Sequence, residues 1–157
     1  TYWIKYLDLK PHPEGGYFKE THRSSIKEEF SGFSGKRSLS TGIYFLLEKG
    51  NFSAFHRIKS DEMWHFYAGD PLLVHMIDEQ GNYSKQIIGP KLDEHQALQF
   101  VVPAGIWFAS EVVDQGDYCL VGCTVSPGFD FSDFELADKN FETKFPEHRN
   151  VIQKLVR

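Results

Sequence analysis

Between Leu39 and Ser126 the chain is cut by turn chemistry into eight short apolar stretches, and this regular punctuation limits the fold more than any other feature. The stretches are Ser40–Leu47, Phe52–Arg57, Met63–Ala68, Leu72–Ile77, Tyr83–Ile88, Leu98–Val102, Trp107–Val113 and Tyr118–Ser126. Between them stand Glu48-Lys49-Gly50-Asn51, Ala68-Gly69-Asp70-Pro71, Glu79-Gln80-Gly81-Asn82, Pro103-Ala104-Gly105 and Asp114-Gln115-Gly116-Asp117. Glycine, proline, asparagine and aspartate at intervals of about 8–12 residues are what joins antiparallel strands, so the spacing predicts an all-β sandwich or barrel.

The flanks read differently. Trp3, Ile4, Tyr6 and Leu7 have the i, i+3, i+4 spacing of a short amphipathic helix, which Lys10-Pro11-His12-Pro13 should stop, since two prolines cannot continue it. Tyr17 to Arg23 alternates like a strand, Ser24 to Lys36 is polar and aperiodic and predicts a loop, and Gly128 to Phe134 alternates apolar with polar residues. The tail from Asp133, and again from Pro146 to Val156, predicts helix, with proline suited to the first helical position. No repeat, low-complexity tract or long linker divides the 157 residues, so one domain over 1–157 is expected, and a chain of this length can bury one real core.

Charge and composition narrow the function. With 17 Lys+Arg against 22 Asp+Glu and no basic cluster longer than two residues, the chain lacks the electrostatic footprint of a nucleic-acid binder. No apolar run approaches the roughly 18 residues of a membrane span, and no basic-then-apolar leader is present; a cytoplasmic protein is expected. Aromatic residues make up 15% of the chain, and so many rings need a core or a pocket. Cys119 and Cys123 lie in an apolar run at a spacing that suits neither zinc nor redox chemistry, and read as small buried hydrophobes.

One constellation carries chemistry. Gly50, five residues, His56, five residues, Glu62, six residues, Gly69 is a glycine-bounded hairpin that sets a histidine near the end of one strand and a carboxylate near the start of its partner. This resembles the first motif of the cupin family, with Ile58 where the family's second histidine stands. Pro103-Ala104-Gly105-Ile106-Trp107-Phe108 fits the second cupin motif, with Phe108 in the histidine's place. Three further strings are similar to those of the cupin_5 group: His12-Pro13-Glu14-Gly15-Gly16-Tyr17-Phe18, the run from Ser60 to Leu72, and the run from Ser126 to Phe134. The resemblance covers about Leu7 to Leu136 and implies an eight-stranded double-stranded β-helix, the cupin jelly roll, with short helices at its ends. It also implies a homodimer and a pocket like that of the deoxysugar epimerases. An open jelly-roll sheet has edges that invite a second copy, and Tyr17–Arg23 is the segment expected to add to a partner's sheet. Only two of the four usual metal-ligand positions, His56 and Glu62, survive, so no resident metal is expected. A divalent ion on that pair, completed by waters or by His65 or His75, is the rival reading.

Strand parity selects the rest of the site. If Glu62 points inward, so do Trp64 and Phe66, while His65 turns away to a structural hydrogen bond; Phe108 inward sends Trp107 outward. His75 reads as structural. Glu14, before Gly15-Gly16, with Tyr17 and Phe18 beyond, is expected on a loop reaching over the barrel mouth. Arg23 is a candidate clamp for an anionic group, and Tyr44 a further candidate lining residue. His56 and Glu62, tuned by burial and by each other's charge, form the candidate general acid/base pair, in a pocket of mostly apolar walls for a small-molecule ligand. Epimerase- or isomerase-like proton abstraction from a sugar-like or other small polar molecule is the expected chemistry; a non-catalytic binding or sensing module is the alternative.

Overall fold

A computed structural model describes residues 1–157. A short helix α1 (Tyr2–Leu7) is followed by the strands β1 (Lys10–Pro11), β2 (Tyr17–Arg23), β3 (Lys27–Glu29), β4 (Lys36–Ser38), β5 (Thr41–Glu48), β6 (Phe52–Arg57) and β7 (Asp61–Gly69). After these come β8 (Leu72–Ile77), β9 (Tyr83–Ile88), β10 (Gln99–Val102), β11 (Trp107–Val112), β12 (Tyr118–Ser126) and β13 (Glu135–Leu136), then α2 (Phe141–Lys144) and α3 (Arg149–Lys154). One sheet has the order β1-β2-β5-β12-β7-β10 and the other β13-β6-β11-β8-β9. The eight strands β5 to β12 pass back and forth between two facing sheets, except for the β8–β9 hairpin within one of them, in the jelly-roll order, and correspond to the eight punctuated stretches. The two sheets do not close into one hydrogen-bonded barrel.

Alternation along the strands creates three apolar layers. Phe45, Leu47, Trp64, Val74, Met76, Phe108, Cys119, Val121 and Cys123 point between the sheets and form the main core. Their neighbours point outward and need separate covers. Phe55, Ile77, Trp107 and Ala109 are roofed by Phe141, Phe145, Ile152 and Leu155 of the C-terminal helices. Leu46 and Leu120 are covered by Leu9 and by Trp3, Ile4 and Leu7 of α1. Thus each terminal helix exists because a strand with apolar residues on both faces leaves one face wet. Burial in the core also pushes the Cys119 thiol up to about 12 and raises Cys123 well above its ordinary range, as expected of inert packing cysteines.

Several flanking segments differ from the sequence reading. α1 stops at Leu7 because Asp8 turns left-handed, at φ 54°, before the prolines are reached, and Lys10–Pro11 then pair with Phe18 and Tyr17. The polar stretch Ser24–Lys36 is not wholly loop: β3 and β4 make a hairpin, pinned by Arg37 to Asp133. No α-helix starts at Asp133; that residue ends a single 3₁₀ turn over Phe131–Asp133, and after Phe134 the chain enters β13, which pairs with β6. β2 pairs with β5 along one edge, while on its other edge β1 covers only Tyr17 and Phe18, so beyond Phe18 the strand expected to join a partner's sheet keeps an edge free of strand pairing. No helix is long and apolar enough to cross a membrane.

Candidate functional site

At one end of the sandwich the sheets part around a cavity of about 260 Å³. β6 delivers His56, with Ile58 just beyond its end, β7 delivers Glu62, β12 delivers Cys123 and Val125, and β2 delivers Phe18, Glu20 and Arg23. The 128–134 segment closes over the top with Phe129, Phe131 and Phe134.

The loop before β2 adds His12 and Glu14. This loop lies along the edge of β6, where the Ala54 N–H donates to the Glu14 carbonyl at 2.9 Å. The approach needs Gly15, at φ 112°, since a Cβ there would sit 2.0 Å from the Phe52 carbonyl oxygen. The Arg157 guanidinium holds the loop from the other side, donating to the carbonyls of Glu14 and Phe52. A bulge in β6 opposite Ala109 separates the Ser53 and His56 registers, and the His56 ring folds back so that Nδ1 donates to the Ala54 carbonyl at 2.7 Å.

That bond fixes the proton count. With one proton on Nδ1, the short 2.9 Å contact from His56 Nε2 to Glu14 Oε2 requires a second proton between them. Imidazolium and carboxylate are the stable pairing: burial opposes both charges, yet His56 holds Glu14 below its ordinary carboxylate value and Glu14 raises His56 above its own. Both residues are buried, Glu14 at 7% and His56 at 3% exposure. His12 is different: the Glu14 N–H donates to its Nδ1 at 3.2 Å, so the ring's proton is on Nε2, and burial keeps the imidazole neutral by lowering its pKa.

Glu62 sits opposite this pair and makes no ion pair with His56. Burial, together with the adjacent Glu14 charge, pushes its carboxyl up to about 7, His56 partly opposing the rise. Beside Glu20, which is paired with Arg23, the cavity therefore holds two glutamates in different states near neutrality, Glu14 ionised and Glu62 poised. Hairpin spacing pairs His56 with Glu62; the structure pairs it with Glu14, because the loop arrives at β6 and fills the space in front of Nε2.

Among the other candidates, Glu14, Phe18 and Arg23 line the cavity. Arg23 is already bound to both Glu20 carboxylate oxygens and to the Phe129 carbonyl. Trp64, Phe66 and Phe108 point between the sheets but lie in the core below the cavity rather than on its wall; Phe108 lies against the His56 ring at 4.1 Å. Tyr17 and Tyr44 fall on the outer face of their sheet beneath α1, since Phe18 and Phe45 take the inward positions. His65 bonds Thr124, and His75 bonds Tyr83 and Glu111, both away from the cavity. His12, Ile43 and the three phenylalanines of the closing segment were not singled out. The signal for His12 was its place two residues before Glu14, ahead of the Gly-Gly pair.

Residues 1–137 match the model of the Cupin_5 family, described as the cupin superfamily (DUF985). The chain belongs to Cupin_5. Its relatives of known structure include protein SO0799 from Shewanella oneidensis, 42% identical over 99% of this chain and 95% of that one, with a TM-score of 0.90. A hypothetical protein from Leishmania major is 38% identical over 99% and 97%, with a TM-score of 0.91. The uncharacterized yeast protein YML079W from Saccharomyces cerevisiae is 31% identical over 80% of this chain and 68% of its own. More distant cupin structures, at 16% and 12% identity, share the fold alone.

In this Cupin_5 member the metal frame of cupins is not filled. Two of its four positions are the hydrocarbons Ile58 and Phe108, and the ring nitrogens of His56 are taken by Ala54 and Glu14. No three histidine, cysteine, aspartate or glutamate side chains are grouped as metal ligands. Transition metals are normally held by three or four donors, so the donor set present does not fit one.

Proposed function

We propose that this Cupin_5 protein catalyses proton transfer on a small polar molecule bound in the cavity, with Glu62 as the group that takes and returns the proton. The observation that carries the reading is that Glu14 is ion-paired to His56 at 2.9 Å while Glu62, in the same cavity, has no partner: environments that separate two carboxylates mark which is acid or base and which is fixed charge. A carboxyl poised at about 7 can act in either direction at neutral pH, where general acid–base catalysis is most efficient. Glu14 is the fixed charge. His56 is committed at both nitrogens and acts as a positioning residue, keeping Glu14 ionised and thereby Glu62 poised. His12, neutral and with its remaining proton on Nε2, is suited to polarise a substrate carbonyl. Together these favour removal of a proton from a carbon beside a carbonyl, the step shared by epimerases and isomerases. Phenylalanine walls supply stacking area and exclude water.

The test is solvent exchange. Aldoses, ketoses and amino sugars incubated with the protein in deuterium oxide should lose one carbon-bound proton signal for a substrate that fits. Glu62→Gln, which keeps the shape and loses the proton carrier, should slow that loss by about 10²–10⁴-fold. A ligand that demonstrably occupies the cavity yet never exchanges would instead establish the binding-module reading.

A further inference from the structure

We propose that the molecule this cavity receives carries a positive charge, an ammonium group seated between the phenylalanine rings and the Glu62 carboxyl; this rests on the proton-transfer reading above. The charges on the walls set the sign of the ligand. Glu14 is neutralised by His56 and Glu20 by Arg23, while the single charge of Arg37 is shared between Asp133, gripped at 3.0 Å, and the half-exposed Asp130 at 3.6 Å. Glu62 alone has neither an ion-pair partner nor a protein hydrogen bond. An anion entering the cavity meets no free cation, since Arg23 keeps only Nη1 uncommitted after its bonds to Glu20 and Phe129. A cation meets a wall with more carboxylates than cations, and in it Glu62, which has no ion-pair partner.

The walls agree with that sign. Phe18, Phe129, Phe131 and Phe134 line the cavity, and ring faces attract ammonium groups while offering nothing to a carboxylate or phosphate. Aromatic cages are a recurring means of holding an ammonium group, and here Phe18, Phe129 and Phe134 are half-buried while Phe131 is exposed. Ligand charge would also switch the site on. The groups facing Glu62 are Glu14 from the loop, His56 from β6 and Cys123 from β12; Glu14 opposes its ionisation, and a bound cation reverses that balance. Seating the ammonium group therefore drives the proton off Glu62 and leaves it as the base the reaction needs.

Tetramethylammonium and acetate, titrated separately into isotope-labelled protein and followed by NMR, decide the matter. Tetramethylammonium should bind with millimolar affinity, tightening about tenfold between roughly pH 6 and pH 8 as Glu62 ionises. Glu62→Gln, checked by its spectrum to be folded, should weaken it at least about tenfold and flatten the pH dependence. Acetate binding that tightens as pH falls and disappears in Arg23→Gln would overturn the proposal, as would tetramethylammonium binding that ignores pH and Glu62. Deuterium exchange into an uncharged sugar without any tetramethylammonium binding removes the charge assignment and leaves proton transfer standing. Cation binding without exchange on any substrate does the reverse.

Discussion

His56→Leu should cost about 3–5 kcal/mol of stability at neutral pH, the largest loss expected from any single change at the site. Leucine fills the space, so the loss comes from charge: Glu14, at 7% exposure, is left buried without its cation. In the native protein Glu14 ionises below its ordinary 4.5, so its contribution is present above that value and is lost as pH falls through the folded one. His56 ionises above its ordinary 6.5, so its contribution is present below that value and is lost as pH rises through the folded one. In the variant, Glu14 is raised instead, so the penalty should grow from acid toward neutral pH. Urea unfolding at several pH values reads this directly. Glu14→Gln should be milder, because the amide can donate to an uncharged His56 Nε2, and the double variant Glu14→Met, His56→Leu should regain most of the loss, as removing both charges often does. A penalty below about 1 kcal/mol, or one flat in pH, would mean the pair is not charged.

Arg37→Met should cost a similar amount, about 3–5 kcal/mol, for the same reason in another place. Its guanidinium grips both Asp133 oxygens at 3.0 Å, with side-chain exposures of 6% and 4%, and its Nη2 also reaches Ser132. This bidentate pair ties the β3–β4 hairpin to the segment carrying Phe129, Phe131 and Phe134. The variant should therefore lose stability and also lose hydrogen-exchange protection over 128–134, while β5 and β12 stay protected. Loss of stability with unchanged protection there would show that other contacts hold the closing segment.

The strands of the sandwich were legible because turn residues and two-residue periodicity are local signals. β6, β8, β9 and β12 have the ends the turns predict, and inward Phe108 with outward Trp107 follows from parity alone. What the sequence does not display is which distant segment fills a gap. Glu14 reaches His56 across some forty residues of chain, through a glycine approach to the Phe52 carbonyl and a tether from Arg157. The β3–β4 hairpin is equally silent: its strands are three polar residues each, held by Arg37 rather than by an apolar face. Tyr17 and Tyr44 fail as site residues by one step of parity, since both rings of each Tyr-Phe pair are good pocket formers and only the pleat decides between them.

One histidine holds Glu14 ionised and, through that charge, Glu62 poised near neutrality. Carbon-13 labelled glutamate carboxyls, titrated by NMR with Glu62→Gln and Glu14→Gln to assign the signals, measure this directly. Glu62 should titrate near 7 in the native protein and at a lower pH when Glu14→Gln removes the neighbouring charge, while Glu14 stays ionised well into acid. A Glu62 signal that titrates near its ordinary 4.5 and does not respond to Glu14→Gln would contradict the account.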